Sequence, residues 1–286
     1  MKVVLAGAFG KLGTDILKVL VSEGHEVVAA DMIEKAIDGI ADKYTTRKID
    51  VTKPETITGL CDGADAVITT VGLTAGSATI TNYDIDYQGN VNLLEEAKRA
   101  GVKHFTYISV IKADADKKVP MLHAKALFEE QLKQSGIPYV IHRPTGYFYD
   151  IAKVFMPMIE KGEVTLLGKQ DSHCNVIDTE DFAKFIVLHM CDENKLYNVG
   201  GKETYSYEQI ARMFFDEAGK PAVIKRAPVF LFSVLAFVNK CKKNGKEAII
   251  RFSKFTLTNE LVGEDVYGEK SFKAYIAQYV KGAMAK

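Results

Sequence analysis

Short apolar runs alternate with amphipathic stretches through the first half of the chain. Lys2–Ala6, Glu26–Ala30, Arg47–Ile49, Asp65–Thr70, His104–Ser109 and Tyr139–His142 are the strand candidates, and several are apolar at nearly every position. Strands covered on both faces have this composition, because neither face meets water. Between them helical spacing recurs. Ile16, Leu17, Leu20 and Val21 share one face of Thr14–Ser22, and Gly24 supplies a stop. Val91, Leu94 and Ala97 repeat the pattern in Asn90–Arg99 before Gly101, as do Leu127, Phe128 and Leu132 in Ala124–Gln134 before Ser135 and Gly136. This alternation predicts a parallel sheet with helices on both faces.

After Pro144 the alternation weakens. Aromatic residues and Met crowd Tyr147–Met158, and a short strand is predicted at Val164–Leu167. Helical patterns return at Thr179–Met190 and Tyr207–Ala218, with a strand at Leu196–Val199 between them. The C-terminal third holds an apolar run and two further helix candidates. The predicted architecture is α/β, with a doubly wound parallel sheet formed by residues 1–146 and rejoined by 173–200. Residues 147–172 and 201–286 would form a smaller, interleaved substrate-binding cap.

The strongest local signal is Gly7-Ala-Phe-Gly10-Lys-Leu-Gly13, between the first strand and the first helix. Gly7 lets the chain turn sharply, Gly10 lets backbone amides approach a pyrophosphate, and Gly13 lets the helix pack close to the sheet. The helix N-terminus adds unpaired N–H groups and partial positive charge. Phe9, Lys11 and Leu12 complete the expected phosphate-binding segment of a Rossmann dinucleotide fold. Asp31 ends the second strand, where a carboxylate accepts hydrogen bonds from ribose hydroxyls and repels a 2′-phosphate. NAD is therefore predicted over NADP, with Lys35 near enough to soften the preference.

Composition narrows the partners. The 286 residues are 47% apolar and 26% charged, an ordinary globular balance that excludes disorder and a disulfide scaffold. Lys plus Arg and Asp plus Glu each number 37, so the excess positive charge of a nucleic-acid-tracking protein is absent. Cys61, Cys174, Cys191 and Cys241 have no paired spacing and suit free thiols in a cytoplasmic location. No metal site is expected, because His173-Cys174 and His189 with Cys191 lack further ligands. The first apolar run is five residues long and leads into glycines, so it reads as a strand and not a targeting segment. Ala227–Val238 is the longest apolar stretch, twelve residues against the roughly 20 that span a bilayer. It precedes Lys240, Lys242, Lys243 and Lys246. An interfacial or partner-binding helix has that pattern, but the expectation adopted is a cap helix over the substrate cleft with a solvated lysine tail, and no membrane partner.

The glycine turn has the GxxGxxG form of extended and atypical short-chain dehydrogenases/reductases, and later segments resemble the same family in order. Asp50-Val51 resembles its adenine-contacting segment and Thr70-Val71-Gly72 its loop after the fourth strand. Asp86-Tyr-Gln-Gly-Asn90 with Leu93-Leu94 is similar to the start of its central helix, and His104–Ser109 to the strand with the active-site serine. Ser135–Tyr139 and His142-Arg-Pro144-Thr-Gly146 resemble the sixth strand and the loop toward the nicotinamide. Asn175–Asp178 and Asp181–Ala183 resemble the return to the core, and Tyr197–Gly201 the late strand. The resemblance covers about residues 1–220 and is nearest the NmrA-like and isoflavone-reductase-like members.

This resemblance implies an NAD(P)-binding oxidoreductase that moves a hydride to or from a small organic substrate, possible as a homo-oligomer. It carries one departure. The family's Tyr-xxx-Lys pair keeps its lysine as Lys125, but Met121 stands where the tyrosine would be. Lys125 is the expected proton donor or cofactor clamp, and Ser109 a hydroxyl for a substrate carbonyl. Tyr147 is a third catalytic candidate, placed to approach the nicotinamide or substrate, where that role competes with core packing; with the C-terminal segment it forms a pocket wall. His123, two residues before Lys125, is expected to point elsewhere. Pro144 is expected beside the cofactor. The alternative is a catalytically degenerate dinucleotide-binding redox sensor or assembly factor, with nucleotide-sugar epimerisation third.

Overall fold

The computed structural model describes residues 1–73, 76–77, 79–242 and 245–284. Among these residues the strands are β1 (Lys2–Ala6), β2 (Glu26–Asp31), β3 (Thr45–Lys48), β4 (Ala66–Thr69), β5 (His104–Ile108), β6 (Tyr139–Pro144), β7 (Val164–Leu167), β8 (His173–Cys174), β9 (Lys195–Gly200), β10 (Tyr205–Ser206), β11 (Ile224–Ala227) and β12 (Asp265–Val266). The helices are α1 (Lys11–Ser22), α2 (Pro54–Ile57), α3 (Asn90–Ala100), α4 (Pro120–Lys133), α5 (Phe148–Glu160), α6 (Thr179–His189), α7 (Tyr207–Glu217), α8 (Val229–Cys241), α9 (Lys246–Thr258) and α10 (Phe272–Met284). A π-wound turn, Tyr83–Gly89, runs directly into α3.

The main sheet has the order β12-β9-β6-β5-β4-β1-β2-β3, and its strands are parallel throughout. Alternation explains how β1 sits at its centre. Val3 and Leu5 pack with Leu17 and Phe182 of α1 and α6, while Val4 and Ala6 pack on the opposite face with Leu93 and Phe128 of α3 and α4. The chain runs from β1 to β2 and β3 on one side, then to β4, β5 and β6 on the other. That reversal opens a crevice at the carboxyl ends of β1 and β4, where ligands bind in sheets of this kind. The fold is Rossmann-like α/β, as the sequence predicts.

The cap has its own core. Phe148 and Phe155 of α5 meet Phe214 of α7 and Phe272 of α10, with Leu122 of α4 joining from the main domain. Local sequence fixes the helix entries: Ser206 and Gln209 form a reciprocal capping box at α7, and the Asp178 carboxylate accepts from the Glu180 amide at α6. Two small sheets, β10 with β8 and β11 with β7, tie the cap together.

Three features depart from the sequence expectations. Asp265–Val266, in a stretch assigned to the cap, pairs with β9 and so extends the main sheet. The helix expected from Ala124 starts one turn earlier, with Pro120 at its first position, where a missing N–H costs nothing. Most consequentially, α8 is left largely uncovered. Only its Ala236 is buried, and Phe230 and Phe237 are each 64% exposed. Lys243, singled out in the sequence, lies outside the described residues. Among the described residues no helix is long and apolar enough to cross a membrane.

Candidate functional site

The site begins at the glycine turn. Gly7 has φ +78°, and a Cβ there would sit 2.4 Å from Thr70 Oγ1. A Cβ on Gly13 would lie 2.0 Å from the Gly7 carbonyl oxygen, so α1 can approach the turn only without a side chain at that position. Gly10 differs, because a Cβ there meets nothing closer than 3.5 Å. Its open side is the side a ligand would occupy. Gly10 is also the N-cap of α1 and supplies no side-chain cap, so the first-turn amides keep their donors for an anion. The residues present therefore fit a dinucleotide diphosphate.

Asp31 is locked against this turn. Its Oδ2 accepts from the Phe9 amide at 2.9 Å and its Oδ1 from the Met32 amide at 2.7 Å. Phe9 and Leu12 are buried, so they offer a ligand backbone and not side chains. Lys11 remains exposed and is ion-paired with buried Asp15 at 3.2 Å. Asp50 is largely engaged in its own turn: Oδ1 accepts from the Thr52 amide and hydroxyl, and Oδ2 pairs with Lys53. The Thr52 hydrogen bonds are the main reason its carboxyl is held below the usual carboxylate range. Val51 is buried, with its carbonyl accepting from Asn92.

The loop after β4 joins this turn to a buried ion pair. Thr70 Oγ1 donates to the Gly7 carbonyl at 3.0 Å, and the Val71 carbonyl accepts from Asn90. A Cβ on Gly72 would sit 2.9 Å from Asp86 Oδ1 and 3.3 Å from Lys125 Nζ, so this glycine leaves both groups room. Lys125 Nζ lies 3.1 Å from Asp86 Oδ1, donates to the Ile108 carbonyl at 3.2 Å, and sits 5.3 Å from the Tyr107 ring centroid. Asp86 is fully buried, and its Oδ2 accepts from the Leu73 amide and Asn82 Nδ2. The lysine singled out in the sequence is thus a buried, oriented ammonium beside the strand ends. Asp86, quoted there only as part of a motif, is its counter-ion. Its spacing to Asn90, one turn later, was the available signal.

Ser109 follows β5, but its hydroxyl is committed. It donates to Glu129 Oε1 at 2.5 Å, and the same carboxylate takes Arg143 Nη2 at 2.6 Å. Arg143 also reaches Asp114. The hydroxyl is therefore part of a buried charge network and is not free to donate to a substrate. Pro144 closes β6, and its carbonyl accepts from the Ile111 amide.

Met121 is buried one turn before Lys125 and carries no proton-transfer group. His123 hydrogen-bonds Tyr83 at 3.1 Å and so turns toward the π-wound turn. Tyr147 stacks on Tyr149 at 5.7 Å and packs near Phe182, and burial pushes its phenol well above the usual value. That environment suits packing better than proton donation. A cleft of about 450 Å³ opens beside Lys11, with Phe148, Tyr149 and Tyr275 of α10 among its walls. From the C-terminal segment, α10 lines this cleft through Ala274, Tyr275 and Gln278. Among the described residues no group of three His, Cys, Asp or Glu side chains could hold a metal ion.

Comparison with known proteins agrees with this geometry. Photosystem II assembly factor Ycf39 of Trieres chinensis is 26% identical over 243 residues, spanning 82% of this chain and 75% of that protein. Divinyl chlorophyllide a 8-vinyl-reductase of Arabidopsis thaliana is 27% identical over 277 residues, spanning 84% of this chain and 64% of that protein. Among solved structures, an NADPH-dependent quinone oxidoreductase of Escherichia coli complexed with NADPH superposes with a TM-score of 0.72 at 17% identity, covering 99% of each chain. That likeness is one of fold. The pattern of the NAD(P)H-binding family matches residues 7–190, more than half of the chain. The protein accordingly belongs to the NAD(P)H-binding family, and its cofactor is NAD(P).

Proposed function

We propose that the protein is an NAD(P)H-dependent reductase of a conjugated acceptor, a quinone or an activated alkene, in which Lys125 stabilises the negative charge that forms. The observation that carries this reading is the buried Lys125 ammonium, held beside Gly72 by Asp86. The dinucleotide supplies a hydride when bound, and the glycine turn and Asp31 orient it. Hydride addition to an isolated carbonyl leaves a localised alkoxide that calls for a proton donor such as the family's tyrosine. Addition to a conjugated acceptor spreads the charge, and a fixed ammonium in a dry site can stabilise it. Met121 fits the second chemistry and not the first. The name of one similar protein, a vinyl-reductase, supports the same substrate class, since a vinyl group is an unsaturated acceptor.

A second reading, a dinucleotide-responsive assembly factor without turnover, is favoured by the same Met121 and by the similarity to an assembly factor. Epimerisation leans on the missing tyrosine. The test is steady-state oxidation of NADH and NADPH with a soluble naphthoquinone and with an enone, alongside calorimetric dinucleotide binding. Turnover is expected with the wild-type chain, and Lys125→Met should lower kcat by about a hundredfold. Dinucleotide binding without turnover on any acceptor would overturn the reductase reading in favour of the second.

A further inference from the structure

The apolar helix α8 has no role in the site described above. Val229–Cys241 is apolar apart from Ser233, Asn239 and Lys240, and only Ala236 is buried. Phe230 and Phe237 at 64%, Val234 at 53% and Leu231 at 47% exposure form a continuous apolar surface. An exposed apolar patch of this kind marks an interaction surface.

We propose that α8, with the basic segment around it, docks the protein onto an anionic lipid bilayer and lies in the plane of the interface. This inference is independent of the reductase reading. Length is the first support. Thirteen residues make a helix about 20 Å long, too short for a hydrocarbon core of about 30 Å but sufficient to lie along its surface. Charge is the second. Between Lys220 and Thr258 the sequence carries nine Lys or Arg and a single acid, Glu247. Lys225, Arg226 and Arg251 are ion-paired with Glu163, Glu208 and Glu247, so the charge offered to a surface is that of the lysines at the end of α8. Lys240 and Lys242, directly at the end of α8, are exposed. Basic side chains flanking an interfacial helix meet the negative potential of anionic headgroups.

The exposed lysines at the end of α8 disfavour a second copy of this chain as the occupant, because close pairing through α8 would bring like charges together. A lipid surface covers the phenylalanines and neutralises the lysines at once. The mounting is firm: Lys254 of α9 donates to Ser233 of α8 at 2.9 Å, and α9 packs against α4 and β7. The turn before α9 also touches the main domain. A Cβ on Gly245 would lie 2.6 Å from the Gly76 carbonyl oxygen, in the loop that follows β4.

The experiment is co-sedimentation of the full chain with vesicles of equal parts phosphatidylcholine and phosphatidylglycerol, and with phosphatidylcholine alone. Binding is expected to the anionic vesicles, much less to the neutral ones, and to weaken with salt. Phe230→Ser with Phe237→Ser should weaken it at least about tenfold with the thermal unfolding midpoint unchanged, since both side chains are exposed. Lys240→Glu with Lys242→Glu should remove the preference for phosphatidylglycerol. Absence of binding to anionic vesicles overturns the proposal, as does binding undiminished by the serine pair. A dimer in solution that the serine pair converts to monomer would also overturn it and assign the surface to a second copy.

Discussion

The Lys125 ammonium and the Asp86 carboxylate meet at 3.1 Å, although one side chain belongs to α4 and the other to the turn before α3. Both are almost wholly removed from water. The carboxylate is held in place from its far side by the Leu73 amide and Asn82, so the ammonium has a fixed partner before any ligand arrives. A buried ion pair of this sort adds little net stability, yet losing one member is costly because the survivor is left uncompensated. Asp86→Asn is therefore expected to lower unfolding stability by about 3 kcal/mol, and Asp86→Asn with Lys125→Met to recover part of that loss. Urea unfolding of the two singles and the double measures the coupling, and simple additivity would count against the pair.

Much of this arrangement could be read from the sequence, and the reasons differ by element. The strands of the main sheet are apolar throughout because helices cover both faces, and the glycine turn is legible because each glycine answers a separate steric demand. The buried carboxylates were not legible. Glu129 follows Phe128 on α4 in a run that includes Glu130 and Gln131, where an acid ordinarily faces water. Only the fold brings it to Arg143 from β6 and to Ser109 just after β5. The π-wound turn at Tyr83–Gly89 leaves no periodic signature, and β8, β10 and β12 span two residues each, too few for any pattern to register. For α8 the apolar composition was plain. What covers it is a property of the surroundings, and no local pattern encodes that.

Asp31 makes the cofactor preference testable. Its carboxylate is fixed by the Phe9 amide on the face of the glycine turn, where a 2′-phosphate would meet like charge in a partly desolvated setting. NAD⁺ and NADH should bind more tightly than NADP⁺ and NADPH, and Asp31→Ser should narrow the gap by about tenfold. Parallel calorimetric titration of the four dinucleotides checks this. Equal affinities in the wild-type chain would remove Asp31 from the account of specificity.

The Glu129–Arg143 pair should behave as a structural unit. Glu129 is 1% exposed and accepts from both Arg143 and Ser109. Glu129→Gln keeps one acceptor oxygen but removes the buried negative charge, leaving the guanidinium with the exposed carboxylate of Asp114, and should cost about 3–5 kcal/mol. Replacing both members, as Glu129→Leu with Arg143→Met, removes the stranded charge and should be much milder than Glu129→Gln alone. Guanidinium-chloride unfolding at constant pH measures both. A double variant less stable than the single would show that hydrogen-bond geometry, and not charge compensation, governs this site.

His142 on β6 predicts how stability changes with acid. Its ring is fully buried, stacked at 5.6 Å on Tyr197, with edge contacts to Phe182 and Phe185. Neither ring nitrogen has a hydrogen-bond partner among the described residues. Burial, more than the neighbouring His189, pushes its pKa from the usual 6.5 down to about 3. In the native state the ring therefore stays neutral at pH values where the unfolded chain takes up a proton. The unfolded state binds more protons between those two values, so stability is full above pH 6.5 and falls as the pH drops toward 3. The slope from this one group is about 1.4 kcal/mol per pH unit once the unfolded histidine is charged. His142→Phe keeps an aromatic ring in the stack and has no proton to gain. Its unfolding free energy should fall less steeply than that of the wild-type chain between pH 6 and 4, by about 1.4 kcal/mol per unit. Urea titrations at a series of pH values decide it: parallel slopes for the two proteins would mean that the buried ring becomes charged without unfolding.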